Sequence, residues 1–483
     1  MTFQMSDLSL IAPHMVVTGT ALIVLLVEAF RPGKGRSDAT YLSILGLLVA
    51  ALMTLRQFGA PATTGFSGML IADGYAAFFN MVAYVVGILT LLVSDSYFRS
   101  EEYEHGEFHA LMLMSLVGMM LMSGSNHLML MFLALETMSI SIYAMAGYMR
   151  TKEGTESSFK YFLLGGASSA FMLYGIALLY ASCGTTSLSG MVEYFSTLPS
   201  LGDSPMALAG IALVAAGFCF KIAAFPFHVW TPDVYQGAPT SVTAFMATGV
   251  KAAAFAAFFR IFVVAFPIAS GAWTSAFWVL AVATMTMGNF AALAQRDVKR
   301  MLAYSSIAHA GYLLIGMVTA TSEAGTGMLF YLISYVFMNI GAFGIVIMLG
   351  KKGEDRTTLE DYAGVGFKKP LLGAALTIFM FSMAGIPPTA GFIGKFLIFK
   401  AAVHEGYIWL AVLGVLNSAA SVYYYLRVLV YMYFRESESE SGDVIRTSPL
   451  SILAAAISVI AVLILGIVPG YLVQIAEAAT AAF

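Results

Sequence analysis

The chain has 483 residues, of which 59% are hydrophobic and only 11% charged, against about 25% charged in an ordinary soluble chain. That balance excludes a string of soluble domains. The formal net charge of -3, with 24 basic residues dispersed among loops, gives no reason to expect nucleic acid or an acidic partner. Cys183 and Cys219 stand 36 residues apart with no CxxC, metal or haem-attachment spacing, so the chain offers no visible ligands for zinc or an iron–sulfur cluster. Both are read as small packing residues.

A helix needs about 20 apolar residues to cross the hydrocarbon layer, and apolar runs bounded by polar or Pro/Gly clusters fall near 9–29, 41–58, 75–94, 108–124, 127–149, 159–182, 206–229, 242–266, 273–294, 301–320, 326–349, 371–400 (interrupted), 407–434 and 450–472. This predicts an all-α polytopic membrane protein with about fourteen crossings. A β-barrel is excluded because each run is about twice the length a membrane strand needs and lacks alternation. The first run has no basic segment before it and no small-residue cleavage site after it, so it is read as a retained span and not a secretory signal.

Basic residues give an independent check, because cytoplasmic loops carry the excess. Arg31, Lys34, Arg36, Arg99, Arg150, Lys152, Lys160, Arg296, Lys299, Arg300, Lys351, Lys352, Arg356, Lys368, Lys369, Arg435 and Arg446 all fall in one alternate set of loops. The opposite set holds only Arg56 and Lys400. The asymmetry predicts an even number of crossings with both termini on the outer side.

In chain order, the fifth crossing carries Glu136 near its middle, within HLMLMFLALETMSISIYAMAGY. The seventh carries Lys221, followed by Pro226, Pro232 and Pro239. Proline removes a helical N–H and clashes with the preceding turn, and freed backbone groups at membrane depth need protein or water to satisfy them. A break hydrated beside Lys221 is therefore expected. His228 follows that break.

The eighth crossing holds Lys251 ten residues in, among small residues, and Arg260 near its outer end. Tyr304 and His309 lie at the start of the tenth, and histidine passes protons near neutral pH. The twelfth is broken at Pro387 and Pro388, seven residues before Lys395. Arg427 lies near the cytoplasmic end of the thirteenth, and ESESESGD at 436–443 reads as a solvated loop.

Arg260 and Arg427 are shallow enough for snorkelling anchors. Lys221, Lys251 and Lys395 are not. At about 2.5 to 3.5 kcal/mol for each central charge, the three together cost roughly 9 kcal/mol unless partners or water compensate. Fixed ion pairs holding helices together would supply compensation. A chain of titrating amines along a wetted interior would supply a use, and lysine suits it because its proton affinity shifts on burial while arginine stays charged. Were Glu136 beside Lys221, each would hold the other charged, and separating them would release a proton.

Crossings four to eight and nine to thirteen each form a five-helix group with its broken helix fourth. An odd number of helices gives the groups opposite polarity, the inverted-repeat plan of many transporters. The division is then 1–107, a three-helix segment; 108–266, the first repeat; 267–435, the second; and 436–483, a loop and last helix. No Walker A loop, GxGxxG after a strand, or Ser/His/Asp arrangement is present.

HVWTPDVYQGAPTSVTAF, QRDVKRMLAYSSIAHAGY and GIPPTAGFIGKFLIF resemble the subunit N family of the antiporter-like membrane subunits of proton-pumping NADH–quinone oxidoreductase, respiratory complex I. The resemblance spans crossings four to thirteen and implies fourteen helices with inverted repeats. It implies that Lys221 is the broken-helix lysine, Glu136 its partner, Lys251 the connecting lysine and Lys395 the terminal lysine. The related subunit M carries glutamate in that last place, and subunit L has further C-terminal helices for which there is no room here.

By the same resemblance, redox chemistry would sit elsewhere: no cofactor on this chain, with flavin, iron–sulfur clusters and quinone on partner subunits. The partners implied are other membrane subunits, an M-type antiporter-like one and a small K-type one, within the lipid bilayer. Protons would load Lys221 or Lys251, move past His309 to Lys395 and leave outside. A subunit of an Mrp-type cation/proton antiporter, or a non-pumping anchoring subunit whose charges only pair, are the alternatives.

Overall fold

A computed structural model describes residues 5–30, 37–101, 106–199, 201–351, 353, 355–436 and 446–481. Arg31, Lys34, Arg36, Lys352 and most of the expected loop at 436–443 lie outside the described residues. Among those described, twelve helices are long and apolar enough to cross a membrane. In chain order the helices are α1 (Met5–Phe30), α2 (Asp38–Leu55), α3 (Gly74–Glu101), α4 (Gly106–Gly124), α5 (Leu128–Ala146), α6 (Lys152–Cys183), the short surface helix α7 (Leu188–Ser196), α8 (Pro205–Lys221) and α9 (Thr231–Gly237). They continue with α10 (Thr240–Ala265), α11 (Ser270–Leu293), α12 (Val298–Thr319), α13 (Ser322–Leu349), α14 (Pro370–Ala384), α15 (Ala390–His404), α16 (Ile408–Phe434), α17 (Pro449–Ile467) and α18 (Gly470–Thr480).

The helix starts follow local chemistry. Asp297 accepts from the Arg300 N–H at 2.7 Å and Thr151 from that of Gly154 at 3.0 Å, so each side chain satisfies a donor that the first helical turn leaves without a partner. Both proline breaks fall where the sequence puts them. α8 stops at Lys221 and helix resumes at α9, with Pro232 in its first turn. α14 stops at Gly385, in the left-handed conformation at φ 83°, and resumes at Ala390. The peptide bonds Phe225–Pro226 and Pro387–Pro388 are cis.

The end of the chain departs from expectation. The run expected to continue to 472 ends at Ile467, because Pro469 cannot donate to the preceding turn. α18 then packs back on α3 and α13, where the Thr480 and Thr326 hydroxyls meet at 3.0 Å. A two-stranded hairpin, β1 (Thr63–Gly65) and β2 (Leu70–Ala72), joins α2 to α3. Three residues per strand are too few for an alternation to be visible in the sequence.

The bundle has an inside and a rim. Most of α3, α10, α12 and α13 is covered by protein, whereas α1, α2, α6, α11, α16 and α17 keep most of their surface open and present side chains such as Leu52, Phe162, Val279 and Leu416 outward. Small residues bring α11 and α12 together. A Cβ on Gly288 would lie 2.6 Å from the Ala308 nitrogen, and one on Gly311 2.6 Å from that of Met285, the close approach by which membrane helices gain packing without a hydrophobic driving force.

Candidate functional site: a line of buried amines and hydroxyls

Lys221 is the last residue of α8, so the break that ends the helix also fixes its ammonium. The amine donates to the Tyr143 hydroxyl of α5 at 3.3 Å and lies over the Tyr161 ring at 5.1 Å. Trp230, just past the break, stacks on Tyr161 at 4.5 Å and donates from Nε1 to the Phe220 carbonyl at 3.2 Å. The Phe225 N–H, released by the same break, donates to Thr284 of α11 at 3.0 Å. The interruption is thus satisfied by protein groups, as buried backbone requires.

Glu136 lies seven residues before Tyr143 on α5. It is half-buried, accepts from Ser169 of α6 at 2.5 Å, and is flanked by the exposed Leu133 and Ile140. Among the described residues no direct ion pair joins Glu136 to Lys221; the amine instead meets Tyr143, two turns further along α5. Gly165 makes this possible, since a Cβ there would meet the Tyr143 hydroxyl at 2.1 Å.

Lys251 follows a five-residue π-helical segment, Met246–Val250, a local widening frequent at functional positions. Its amine donates to the Ser306 carbonyl of α12 and to the Ser306 hydroxyl at 2.5 Å, and lies over the Tyr335 ring of α13 at 5.7 Å. One residue back, Ser305 shares a hydrogen bond with Tyr425 of α16. One turn on, His309 meets Tyr331 through Nδ1 and Tyr425 through Nε2, the latter at 3.0 Å.

From there the line crosses to the second break. The adjacent rings of Tyr425 and Tyr424 lie 4.4 Å apart. Tyr424 donates to Asn289 Oδ1 of α11 at 3.0 Å, and the Asn289 amide donates to the Tyr312 hydroxyl at 3.2 Å and to the Asn417 carbonyl at 3.0 Å. Tyr312 presents its ring to the Lys395 amine at 4.9 Å. Lys395 donates to the Met383 and Ala384 carbonyls, freed at the end of α14, at 2.9 and 3.2 Å, and to the Ser418 hydroxyl at 2.8 Å. Lys251, His309 and Lys395 are each nearly fully buried.

The other candidates sit apart from this line. His228 packs its ring against Phe225 at 5.5 Å, and Tyr304 lies under the Arg300 guanidinium at 5.9 Å. Neither bonds to His309 or to a buried lysine. The two arginines are corrected: Arg260 is no snorkelling anchor but forms a buried two-bond pair with Asp73 at 2.9 and 2.8 Å. Arg427 donates to the Leu293 and Gln295 carbonyls, capping the end of α11 as a cation suits a helix C-terminus. Among the described residues no group of three His, Cys, Asp or Glu side chains has the arrangement of a metal site.

The hydroxyls and amides were not legible as a set, yet their spacing leaves a trace. Ser305, His309 and Tyr312 fall on one face of α12, and Tyr331, Tyr335 and Asn339 on one face of α13, by the three- and four-residue steps of a helix. Chemically, amine, hydroxyl and imidazole each both accept and donate once the amine is neutral, so these groups can exchange protons with neighbours, while the Asn289 amide, which accepts only at oxygen and donates only from nitrogen, holds Tyr424 and Tyr312 in place.

Residues 125–421 match the family model of the NADH:quinone oxidoreductase/Mrp antiporter transmembrane region. The chain belongs to this family. Within it, the NADH-quinone oxidoreductase subunit N of Trichlorobacter lovleyi is 48% identical over 99% of this chain and 98% of its own length. A chain of respiratory complex I from Thermus thermophilus is similar in structure with a TM-score of 0.81 and 35% identity, over 96% of this chain and 98% of that one. A chain of the Mrp complex from Dietzia has a TM-score of 0.84 at 20% identity, over 97% and 96% of the two chains, a likeness of fold alone. The family's matched span runs from the start of α5 into α16 and so contains every amine of the line.

Proposed function

We propose that this chain is the antiporter-like, proton-translocating membrane subunit N of an NADH–quinone oxidoreductase. NADH oxidation and quinone reduction take place on partner subunits that carry the flavin, iron–sulfur clusters and quinone. The observation that carries the reading is the polar line from Lys251 through Ser306, Ser305, Tyr425, Tyr424, Asn289 and Tyr312 to Lys395. A scaffold whose cations only pair has no need of it: in this interior the three lysines are held by hydroxyls, carbonyls and aromatic rings, which leaves each free to lose its proton without stranding a carboxylate.

In this reading Glu136, Lys221, Lys251 and Lys395 transfer protons, His309 relays them, and the breaks at Pro226 and at Pro387 and Pro388 hold the two end lysines. A proton taken from the cytoplasm loads Lys221 or Lys251, moves laterally past His309 and leaves from Lys395 outside. Moving one charge against 100 mV costs about 2.3 kcal/mol. A change in the distance between Glu136 and Lys221 is of the right order to supply it, because one pKa unit corresponds to about 1.36 kcal/mol.

The two interrupted helices bring the crossings to fourteen, arranged as inverted five-helix repeats with both termini outside, in a bacterial inner membrane. The half-open Glu136, between Leu133 and Ile140, supports an adjacent membrane subunit on that face, of M or K type, since a carboxylate facing lipid would be costly.

Lys221→Ala in the assembled complex tests the reading. Protons moved per NADH oxidised should fall strongly while assembly survives; an unchanged stoichiometry would overturn it.

A further inference from the structure

A second polar row runs along the α3 side of α10 toward the basic-loop end of the bundle, and α13, whose Tyr335 ring lies under the Lys251 amine at 5.7 Å, borders it. At its far end the Asp355 side chain is 29% exposed. It accepts from Thr240, the first residue of α10, at 3.0 Å, and from Tyr97, near the end of α3, at 3.3 Å. Arg446 donates to Asp355 at 2.6 Å and to Glu101, and its guanidinium lies over the Tyr97 ring at 4.9 Å. The buried Lys299 donates to the Ala238 carbonyl at 2.6 Å.

From this cluster α3 and α10 run side by side in opposite directions. Tyr97 and Thr240 share Asp355 at one end, and at the other a Cβ on Gly249 would sit 2.9 Å from Val86, two residues before Lys251. The α3 face between these points is Val86, Thr90, Ser94 and Tyr97, spaced by three and four residues and so aligned. α13 closes the third side, with Gly344 against Val93 and the buried Asn339 one turn from Tyr335.

Thr90 and Ser94 belong to this α3 row, and Ser241 follows Thr240 at the start of α10. Each residue is at most 2% exposed, and none of the three oxygens has a hydrogen-bond partner among the described residues. A buried hydroxyl without a partner is costly. Three along a seam of roughly 16 Å, the rise of eleven helical residues, fit a file of water, which bridges polar groups that protein leaves unsatisfied.

We propose that this seam is the intake through which protons reach Lys251 from the cytoplasmic side, with the Asp355, Arg446 and Lys299 cluster at its mouth. This rests on the proton-translocating reading above and adds the route and the side of entry. A proton passes along waters held by Ser241, Ser94 and Thr90, and the neutral Lys251 amine takes it, forming one N–H bond. The water at the mouth recovers its proton from the bulk, so one proton leaves the cytoplasmic side for each amine charged. It also gives the N-terminal segment a part in the chemistry, through α3.

The test uses the complete complex in liposomes, reading protons moved per NADH oxidised. Thr90→Val with Ser94→Ala removes two hydroxyls at nearly constant volume and should lower the ratio at least twofold. Thr90→Ser, which keeps a hydroxyl, should retain it. A parent-like ratio in the double variant overturns the intake. If that ratio persists while Lys251→Ala abolishes pumping, only the route is wrong; if Lys251→Ala also pumps normally, the proton-translocating reading itself fails. Should the double variant not assemble, Ser94→Cys decides: a small water-soluble thiol reagent applied from the cytoplasmic side should modify it above the background of Cys183 and Cys219, and no added modification overturns the proposal.

Discussion

Asn289→Leu should uncouple the two ends of the polar line while leaving the bundle folded. The side chains are similar in size, but leucine neither donates nor accepts. The Asn289 amide donates to Tyr312 at 3.2 Å and Asn417 at 3.0 Å, and its oxygen accepts from Tyr424 at 3.0 Å. Two or three net hydrogen bonds of about 1 kcal/mol each vanish, and the buried Tyr424 hydroxyl loses its acceptor at about 1–3 kcal/mol. A local loss of about 3–6 kcal/mol lowers the population with Tyr312 and Tyr424 correctly placed by roughly two to four orders of magnitude. With the complex in liposomes, protons moved per NADH oxidised should fall several-fold. Met285→Leu on the same helix, a volume-conserving change costing under about 1.5 kcal/mol, should leave the ratio unchanged. Normal pumping by Asn289→Leu would mean that the amide only packs.

Gly165→Ala should push the Tyr143 hydroxyl, 2.1 Å from the added Cβ, away from Lys221; a hydrogen bond to a charged group contributes about 1.5–3 kcal/mol, so pumping should drop at least tenfold in rate. Asp73→Leu should destabilise the subunit by about 3–5 kcal/mol by stranding the buried Arg260 guanidinium, and Arg260→Met added to it should restore most of the loss, read as thermal melting of the complex; the double variant should pump normally, separating this pair from the relay. For Asp355, burial would raise the carboxyl, but Lys299, Arg446 and Thr240 outweigh it and hold the group below its ordinary value of 3.8. Its stabilisation is therefore full above that ordinary value and is lost as pH falls through the lower folded one. Asp355→Asn should flatten the acid limb of the complex's melting curve and leave neutral pH less affected.

The bundle was legible because its signals are local. Apolar runs give the crossings, and proline marks both breaks to within a few residues, since a missing N–H acts on its own helix. The buried lysines stand out for the same reason, as isolated charges in apolar text. What the sequence hid depends on contacts between distant residues. Asn289, Tyr312 and Tyr424 are ordinary residues in an apolar helix, and only packing across 135 residues makes Asn289 a junction. Arg260 reads as an anchor until α3 brings Asp73 beside it. The π segment before Lys251 changes one hydrogen-bond step without altering composition, so no residue announces it.

Proton occupancy of the lysine amines during turnover tests the central claim most directly. With isotope-labelled lysine in the assembled complex, NADH-driven difference infrared spectra should contain bands of amines gaining and losing protons, reduced in Lys251→Met and Lys395→Met. Spectra without any labelled-amine change, while the complex pumps at full ratio, would contradict the account.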